Sequence, residues 1–413
     1  MKLIYVSKYF DVPSYGETGS RGFHLCRELS RKGHDVTILA SKPPHLYAKE
    51  KLKRIYTKEV FEALDVIFIK TIGFEKKRSI KRIVTWVEFE IKVLYYLLVK
   101  HRDADVIVAS SLSLFSIVTA LLMKLFCGTR VVFEVRDIWP LSIIEQGGFS
   151  AKNPFMWLLS KIERLGYRFS DHIVGTMPNL IEHVKGIGIN HAPVSCIPMG
   201  VSDEHIASLE MAESCVDSIE NLNFVPEGKF LIGYAGGFGT ANALDYIFES
   251  AKCVTDPRVH FVLVGDGNLK SHYESIYGGL ENVTIGPRLR KQDVGKFASK
   301  CDLMVVSTNP AKIWKYGHSL NKIVDYMLAA RPSLFIYDGY DDMVSAAKCG
   351  FFINTFKPSK IALEIDRIAK TPKGTLAEMG EAGRRWLLSR RKYSVLAGNY
   401  ESLLETILTA DKK

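Results

Sequence analysis

A chain of 413 residues is long enough for two domains, each able to bury its own core. Apolar residues make up 47% of it and charged residues 24%, an ordinary globular balance that excludes global disorder. The formal charge of +10 favours anionic partners: phosphorylated substrates, anionic lipid or nucleic acid.

The first third alternates short apolar runs with helical patterns. Leu3–Phe10 reads as a buried strand, Asp11–Thr18 as a loop, and Gly19–Lys32 as a helix with Phe23, Cys26 and Leu29 on one face. Gly33-His34 ends it and Val36–Ala40 starts the next strand. Further strands are expected at Val66–Lys70, Asp105–Ser110, Arg130–Val135 and His172–Thr176, with helices at Ile80–Lys100, Leu112–Phe126 and Pro154–Phe169. Val194–Pro198 adds a strand, and the acidic stretch 206–228 reads as an inter-domain connection with a short helix.

A second series has strands at Phe230–Ala235, Val259–Val264, Val283–Ile285, Leu303–Ser307, Ser333–Tyr337 and Phe351–Asn354. Its helices are expected near Ala243–Cys253, Gln292–Lys300, Asn321–Ala330, Asp342–Cys349 and Ser359–Ala369, followed by helical runs at Leu376–Ser389 and Ser394–Thr409. Alternation of this kind predicts two doubly wound α/β domains with parallel sheets, binding ligand in the crevice at their carboxyl-terminal strand ends. The expected division is 1–203, a connection over 204–228, and 229–390, with a C-terminal helix in 391–413 completing the first domain.

The seven cysteines are scattered, odd in number and never in a C-x-x-C pair, which fits reduced thiols in a cytoplasm and no zinc site. The N-terminus has too short an apolar core for a signal peptide. No run of about 18 uncharged apolar residues occurs, so a soluble or membrane-surface protein is expected.

The most informative stretch is Lys312–Arg331, K-I-W-K-Y-G-H-S-L-N-K-I-V-D-Y-M-L-A-A-R. A polar loop leads through Asn321 and Lys322 into an amphipathic helix, with Asp325 expected in its first turn. A helix start offers unpaired N–H groups to an anion, Lys322 adds a positive charge, and Asp325 an acceptor for hydroxyls. A phosphate-plus-ribose site is the functional reading; a capped surface helix accounts for the residues equally well. Y-A-G-G-F-G (234–239) follows the first strand of the second half, where glycines let a phosphate approach backbone N–H groups, or merely make a tight turn. Y-G-E-T-G-S-R (15–21) sits likewise after the first strand, and its Arg21 is a candidate phosphate partner. It lacks G-x-G-x-x-G spacing, which argues against a nicotinamide enzyme. Arg288, in I-G-P-R, is a candidate to flank a base or phosphate.

E-V-R-D-I-W-P (134–140) places three charges at a strand end, where burial is costly unless they serve a site or an internal ion pair. Asp137 would accept from a hydroxyl there. Residues 76–100 form a basic amphipathic stretch suited to an anionic membrane surface, or else a core helix with a solvated basic face. Asp103-Ala104-Asp105 reads as loop polarity rather than a metal-binding D-x-D. No nucleic-acid-reading module interleaves the basic residues.

Taken together the motifs resemble glycosyltransferase family 4, the retaining GT-B enzymes. Y-G-H-S-L-N-K-I-V-D-Y-M-L-A-A-R-P is similar to that family's Y-G-x-S-P-N-K-hydrophobic-x-[ED]-Y-M-A-A-G-K-P. Y-F-D-V-P-S-Y-G-E-T-G-S-R, F-E-V-R-D-I-W-P and V-S-C-I-P-M-G-V are likewise similar, in the same order along nearly the whole chain. The branch resembled is that of bacterial O-antigen, capsule and exopolysaccharide assembly.

The resemblance implies two Rossmann-like domains facing across a cleft. It places Asp325 on the nucleotide ribose, and Leu320, Asn321 and Lys322 on the diphosphate with Ser319 beside them. Gly236 and Gly237 would face the donor phosphates, and Gly19 the donor–acceptor junction. The implied catalytic set is Asp137, Arg136 and Lys322. Two departures stand out. Gly317 occupies the place of the first Glu of the E-x7-E pair, and Thr240 stands where an arginine often follows the glycines. Lys322, Lys315 or Arg288 must then carry more of the phosphate charge. The implied activity is metal-independent, retaining transfer from a UDP-sugar to a polyprenyl-diphosphate-linked acceptor at the inner membrane face. A catalytically silent partner subunit and a UDP-sugar epimerase of the same fold are the alternatives.

Overall fold

The computed structural model describes residues 1–13, 19–41, 54–72, 80–111, 113–214, 222–340 and 343–409. Most of the glycine loop 15–18, the start of the basic stretch at 76–79, Asp217, Glu220 and Asp342 lie outside the described residues. The chain divides into two compact units, Met1–Pro198 with Tyr393–Lys413, and Met199–Lys392.

The sheet of the first unit contains β1 (Lys2–Tyr9), β2 (Asp35–Ser41), β3 (Tyr56–Phe61), β4 (Leu64–Ile69), β5 (Val106–Ser111), β6 (Arg130–Val135), β7 (His172–Gly175) and β8 (Val194–Cys196). Their order is β3-β4-β2-β1-β5-β6-β7-β8, all parallel except β3, which pairs antiparallel with β4. β1 and β5 are continuous buried runs because helices cover both faces of a parallel sheet. The edge strand β3, Y-T-K-E-V-F, has no fully buried residue, so no apolar run marks it in the sequence. Right-handed crossovers put helix Arg21–Arg31, between β1 and β2, on one face. Helices Ile80–Lys100, Phe115–Cys127 and Pro154–Phe169 step the other way along the sheet and cover the opposite face. Helix Tyr393–Thr409 returns to pack on Arg21–Arg31, burying Tyr393, Leu396, Tyr400 and Leu404 in the same core as Phe23 and Leu25.

In the second unit β9 (Phe230–Gly237), β10 (Val259–Asp266), β11 (Val283–Gly286), β12 (Leu303–Ser307), β13 (Ser333–Ile336) and β14 (Gly350–Ile353) form a wholly parallel sheet, ordered β11-β10-β9-β12-β13-β14. The chain runs from β9 outwards to β11, then returns to β12 and runs the other way. The switch point therefore lies between the carboxyl ends of β9 and β12, where such sheets leave a crevice.

The division departs from the expected one. Residues 203–214 form a helix of the second unit rather than part of a connection, because Ile206 and Leu209 are buried in its core while Glu204 and Glu210 face outwards. A side chain at Gly295 would strike Leu209, so this packing is close. The short helices Leu141–Gly147, Leu180–Gly186 and Lys270–Tyr277 were not marked by periodicity, since two turns are too few to establish one.

Candidate functional site

The best-formed site sits at the switch point of the second unit. β9 ends in Gly236-Gly237, and the turn after it is tied to the end of β12. Ser307 Oγ donates to the Asn242 and Ala243 carbonyls at 2.6 and 3.0 Å, and Asn309 donates to the Thr240 carbonyl at 2.6 Å. Ala243 is held at φ +45°, a left-handed conformation that costs a non-glycine residue about 1 kcal/mol. A Cβ at Gly236 would come within 2.7 Å of the Tyr234 hydroxyl, so any side chain there would push that ring away from Lys322.

Helix Asn321–Leu328 begins opposite this turn. Its N-cap, Leu320, is extended and provides no side-chain acceptor, so the first backbone N–H groups are left for another partner. Lys322 Nζ lies 2.7 Å from Asn242 Oδ1, 3.3 Å from the Tyr234 hydroxyl and 4.7 Å from the centre of its ring. None of these is an anion. Burial pushes the Lys322 ammonium down to about 8, and no carboxylate raises it back. An uncompensated lysine beside an uncapped helix start is an arrangement suited to an anion.

Asp325 lies one turn further into the helix than expected, since the first turn contains no acidic residue. It is buried, and both its oxygens accept from Lys291 Nζ at 2.6 and 2.5 Å. His205 Nε2, from helix Asp203–Ser214, lies 3.5 Å away. Burial pulls the His205 imidazole below its ordinary value, and Lys291 adds to this while Asp325 opposes it. Neither Lys291 nor His205 was picked out from the sequence. Lys291 follows the strand-end motif I-G-P-R by three residues, which is the signal that could have found it; His205 had none.

Several expected contacts are placed differently. Arg288 is exposed on the loop after β11, and the cation that meets Asp325 is Lys291. Lys315 is exposed, its ammonium 4.8 Å from the Tyr316 ring, and with Lys312 and Tyr340 lines a cavity of about 660 Å³. The Ser319 hydroxyl accepts from the Met199 N–H at 2.9 Å, an anchor for the start of the unit. Gly317 has φ +86° and ψ −173°, a region essentially confined to glycine. The backbone itself therefore explains why no glutamate stands there.

In the first unit, Gly19 also has positive φ, +81°, and leads into the N-cap Ser20. Arg21 does not face a ligand. Its side chain is fully buried, paired with Glu134 at 2.7 Å, and donates to the Ile197 and Pro198 carbonyls at 2.5 and 3.1 Å. Burial alone would lower the guanidinium, but Glu134 more than offsets it; likewise Glu134 is raised by burial and pulled below its ordinary value by Arg21. Tyr5 and Ser110 donate to Glu134 at 2.6 and 2.8 Å. One charge of the E-V-R-D cluster is thus spent on an internal ion pair.

Asp137 and Arg136 are partly exposed beyond the end of β6. The Arg136 backbone is fixed by Ser111 and Thr176, at 3.1 and 3.0 Å. Asp137 Oδ2 accepts from the Trp139 indole at 3.0 Å, and burial raises its carboxyl while bonds from Ser142 and Trp139 oppose that. Asp103 and Asp105 bind Lys2 at 2.7 and 2.6 Å, and among the described residues no group of acidic, histidine or cysteine side chains is arranged to hold a metal.

Two parallel-sheet α/β units in series, each with its polar motifs at strand ends, constitute the GT-B fold. The profile described as "Glycosyltransferase Family 4" matches residues 22–205, and that described as "Glycosyl transferases group 1" matches residues 229–371. The chain belongs to the family 4 glycosyltransferases. It is 22% identical over 267 residues to "Putative colanic acid biosynthesis glycosyl transferase WcaI" of Escherichia coli (strain K12), over 63% of this chain; the match spans 65% of that relative's length. Among solved structures, sucrose-phosphate synthase from Thermosynechococcus elongatus superposes with a TM-score of 0.74 at 13% identity, covering 99% of each chain. Anabaena HepE in complex with UDP-glucose gives 0.64 at 14% identity, covering 98% of this chain and 100% of that one. At such identities the likeness is one of fold.

Proposed function

We propose that the protein is a retaining glycosyltransferase that moves a hexosyl or N-acetylhexosaminyl unit from a UDP-sugar to a polyprenyl-diphosphate-linked saccharide. It would do so at the inner face of the plasma membrane, in the synthesis of a bacterial surface polysaccharide. The observation that carries this reading is Lys322: a half-buried ammonium with only neutral contacts, between a glycine turn and an uncapped helix start. Those groups suit a diphosphate. Asp325 suits the ribose, whose hydroxyls would donate to the carboxylate oxygens that now accept from Lys291. The solved complex of HepE with UDP-glucose supports the same class of donor.

In this reading the diphosphate leaves toward Lys322 and the amides of Asn321 and Lys322, which stabilise the growing charge. The acceptor hydroxyl attacks from the same face and gives its proton to the departing phosphate oxygen, so no enzymic nucleophile is needed. Asp137 and Arg136 orient the acceptor. No metal enters the scheme. A thermal-shift screen of nucleotide-sugars, followed by transfer assays with polyprenyl-diphosphate-linked saccharides, tests it. Transfer or donor hydrolysis at wild-type rate in the double variant Lys322→Ala, Asp325→Ala would refute the site.

A further inference from the structure

We infer that the outer face of the three-helix layer in the first unit, helices Ile80–Lys100, Phe115–Cys127 and Pro154–Phe169, is a docking surface for an anionic lipid bilayer. This rests on the proposed lipid-linked acceptor only for its purpose; the surface itself carries it. The sequence left two readings for the first of these helices, a membrane-surface helix or a core helix with a solvated basic face. Its outer side fits the first and not the second. The inner side packs on the sheet through Trp86, Phe89, Val93 and Leu97, all buried. The opposite side exposes Val84, Val87, Ile91, Tyr95 and Val99, at 43 to 64%. These positions recur at helical spacing, so they form one stripe.

The neighbouring helices continue it. Helix Phe115–Cys127 exposes only Val118, Leu125 and Phe126. Helix Pro154–Phe169 exposes Trp157, Leu158, Leu165 and Phe169. Lys124 donates to the Phe169 carbonyl at 3.0 Å, which joins the ends of these two helices. Together the three helices hold 12 of the 23 large apolar side chains exposed among the described residues, which makes this a patch rather than scattered surface.

Charge selects the occupant. Every acid on the three helices is buried or paired. Glu90 accepts from Ser116 and Thr119 in the interior, Glu163 meets His183 at 2.7 Å, and Glu88 is bonded to Lys92 at 2.5 Å. The exposed charges are all positive: Lys81, Lys100, Lys161, Arg164 and Arg168. A second copy docking through the same face would set these cations against their own kind. An apolar face studded with cations matches an anionic bilayer, which takes up apolar side chains and attracts Lys and Arg to its headgroups. No helix among the described residues is long and apolar enough to cross a membrane, so the contact is interfacial.

The arrangement also ties the bilayer to the candidate acceptor end. Trp86 stacks on Phe155 at 6.3 Å and lies 5.6 Å from Trp139, whose indole donates to Asp137. The docking helices thus meet Asp137 through one aromatic cluster. An acceptor whose lipid tail stays in the membrane would bring its head group to that end.

Flotation of the full chain with vesicles, in the absence of any sugar substrate, tests this. The wild type is expected to float with vesicles about one-third phosphatidylglycerol, and far less with pure phosphatidylcholine. Ile91→Glu with Leu125→Glu should lower the bound fraction at least about tenfold, and Lys161→Glu with Arg168→Glu should remove the preference for the anionic vesicles. Both variants change exposed residues, and unchanged circular dichroism and UDP binding would show the fold intact. Failure of the wild type to float, or equal flotation of wild type and variants, would overturn the inference while leaving glycosyl transfer untouched. So would a wild-type dimer in light scattering that the same substitutions dissolve, since a second copy would then cover the face.

Discussion

Each unit buries a cation near the end of its sheet, and the two are treated in opposite ways. Arg21 in the first unit is fully enclosed and matched by Glu134, which is itself held by Tyr5 and Ser110. Lys322 in the second is met only by an amide oxygen and a phenol. The desolvation cost is similar in kind, but in the first unit an internal carboxylate offsets it and in the second nothing inside the protein does. A buried charge that the fold neutralises is part of the architecture. One that it leaves uncompensated, as at Lys322, is the candidate place for a ligand of opposite sign.

The largest effect should come from breaking the first pair. Glu134→Gln strands the Arg21 guanidinium and should cost about 3–5 kcal/mol in urea denaturation. UDP binding by the folded fraction should not change. If UDP affinity falls with it, the two charges are not as separate as described. Lys322→Met should do the reverse: the ligand-free midpoint temperature stays level or rises, while UDP affinity drops about 10- to 100-fold by calorimetry.

Gly317→Glu restores the first acid of the E-x7-E pair on paper. It should lose about 1–3 kcal/mol of stability and gain no transfer activity, because the backbone there is confined to glycine. Asp325→Asn should weaken UDP binding by about tenfold, with the loss smaller for the ribose-free ligand pyrophosphate.

The subtlest test is pH. The Lys322 ammonium sits at about 8 without ligand, and a bound diphosphate raises it, so binding takes up protons as pH passes above that value. UDP affinity should therefore decline above about pH 8 in the wild type and stay flat there in Lys322→Met. For stability the sign is opposite. The unfolded lysine, at about 10.4, holds its proton longer than the native one, so the folding penalty of burying the charge is relieved as pH rises between those two values.

The alternation of strands and helices was legible because parallel strands covered on both faces must be continuous apolar runs, and their helices must be amphipathic. The edge strand β3 escaped since it has only one partner and little to bury. Within the candidate site, Lys322, Asp325 and the Gly236-Gly237 turn could be picked out as residue types in a telling local order. Lys291, three residues past I-G-P-R, and His205 went unmarked because the fold brings each to Asp325 from a separate part of the chain; Asn242 and Tyr234 flank the Gly236-Gly237 turn, but only the fold shows that they face Lys322.

The sequence by itself determined two α/β units, the placing of polar motifs at strand ends, and the helix start at Asn321. These follow from periodicity and nearest-neighbour chemistry. Only the tertiary structure decided which charges are spent. Arg21, singled out as a candidate for phosphate, turns inward to Glu134 across more than a hundred residues of chain, while Lys322 finds no such partner. It also decided that the outer side of helix Ile80–Lys100 is apolar rather than basic, since exposure depends on which face the sheet covers. Local sequence specifies what a residue can do; the partners that cancel or leave its charge come from elsewhere in the fold.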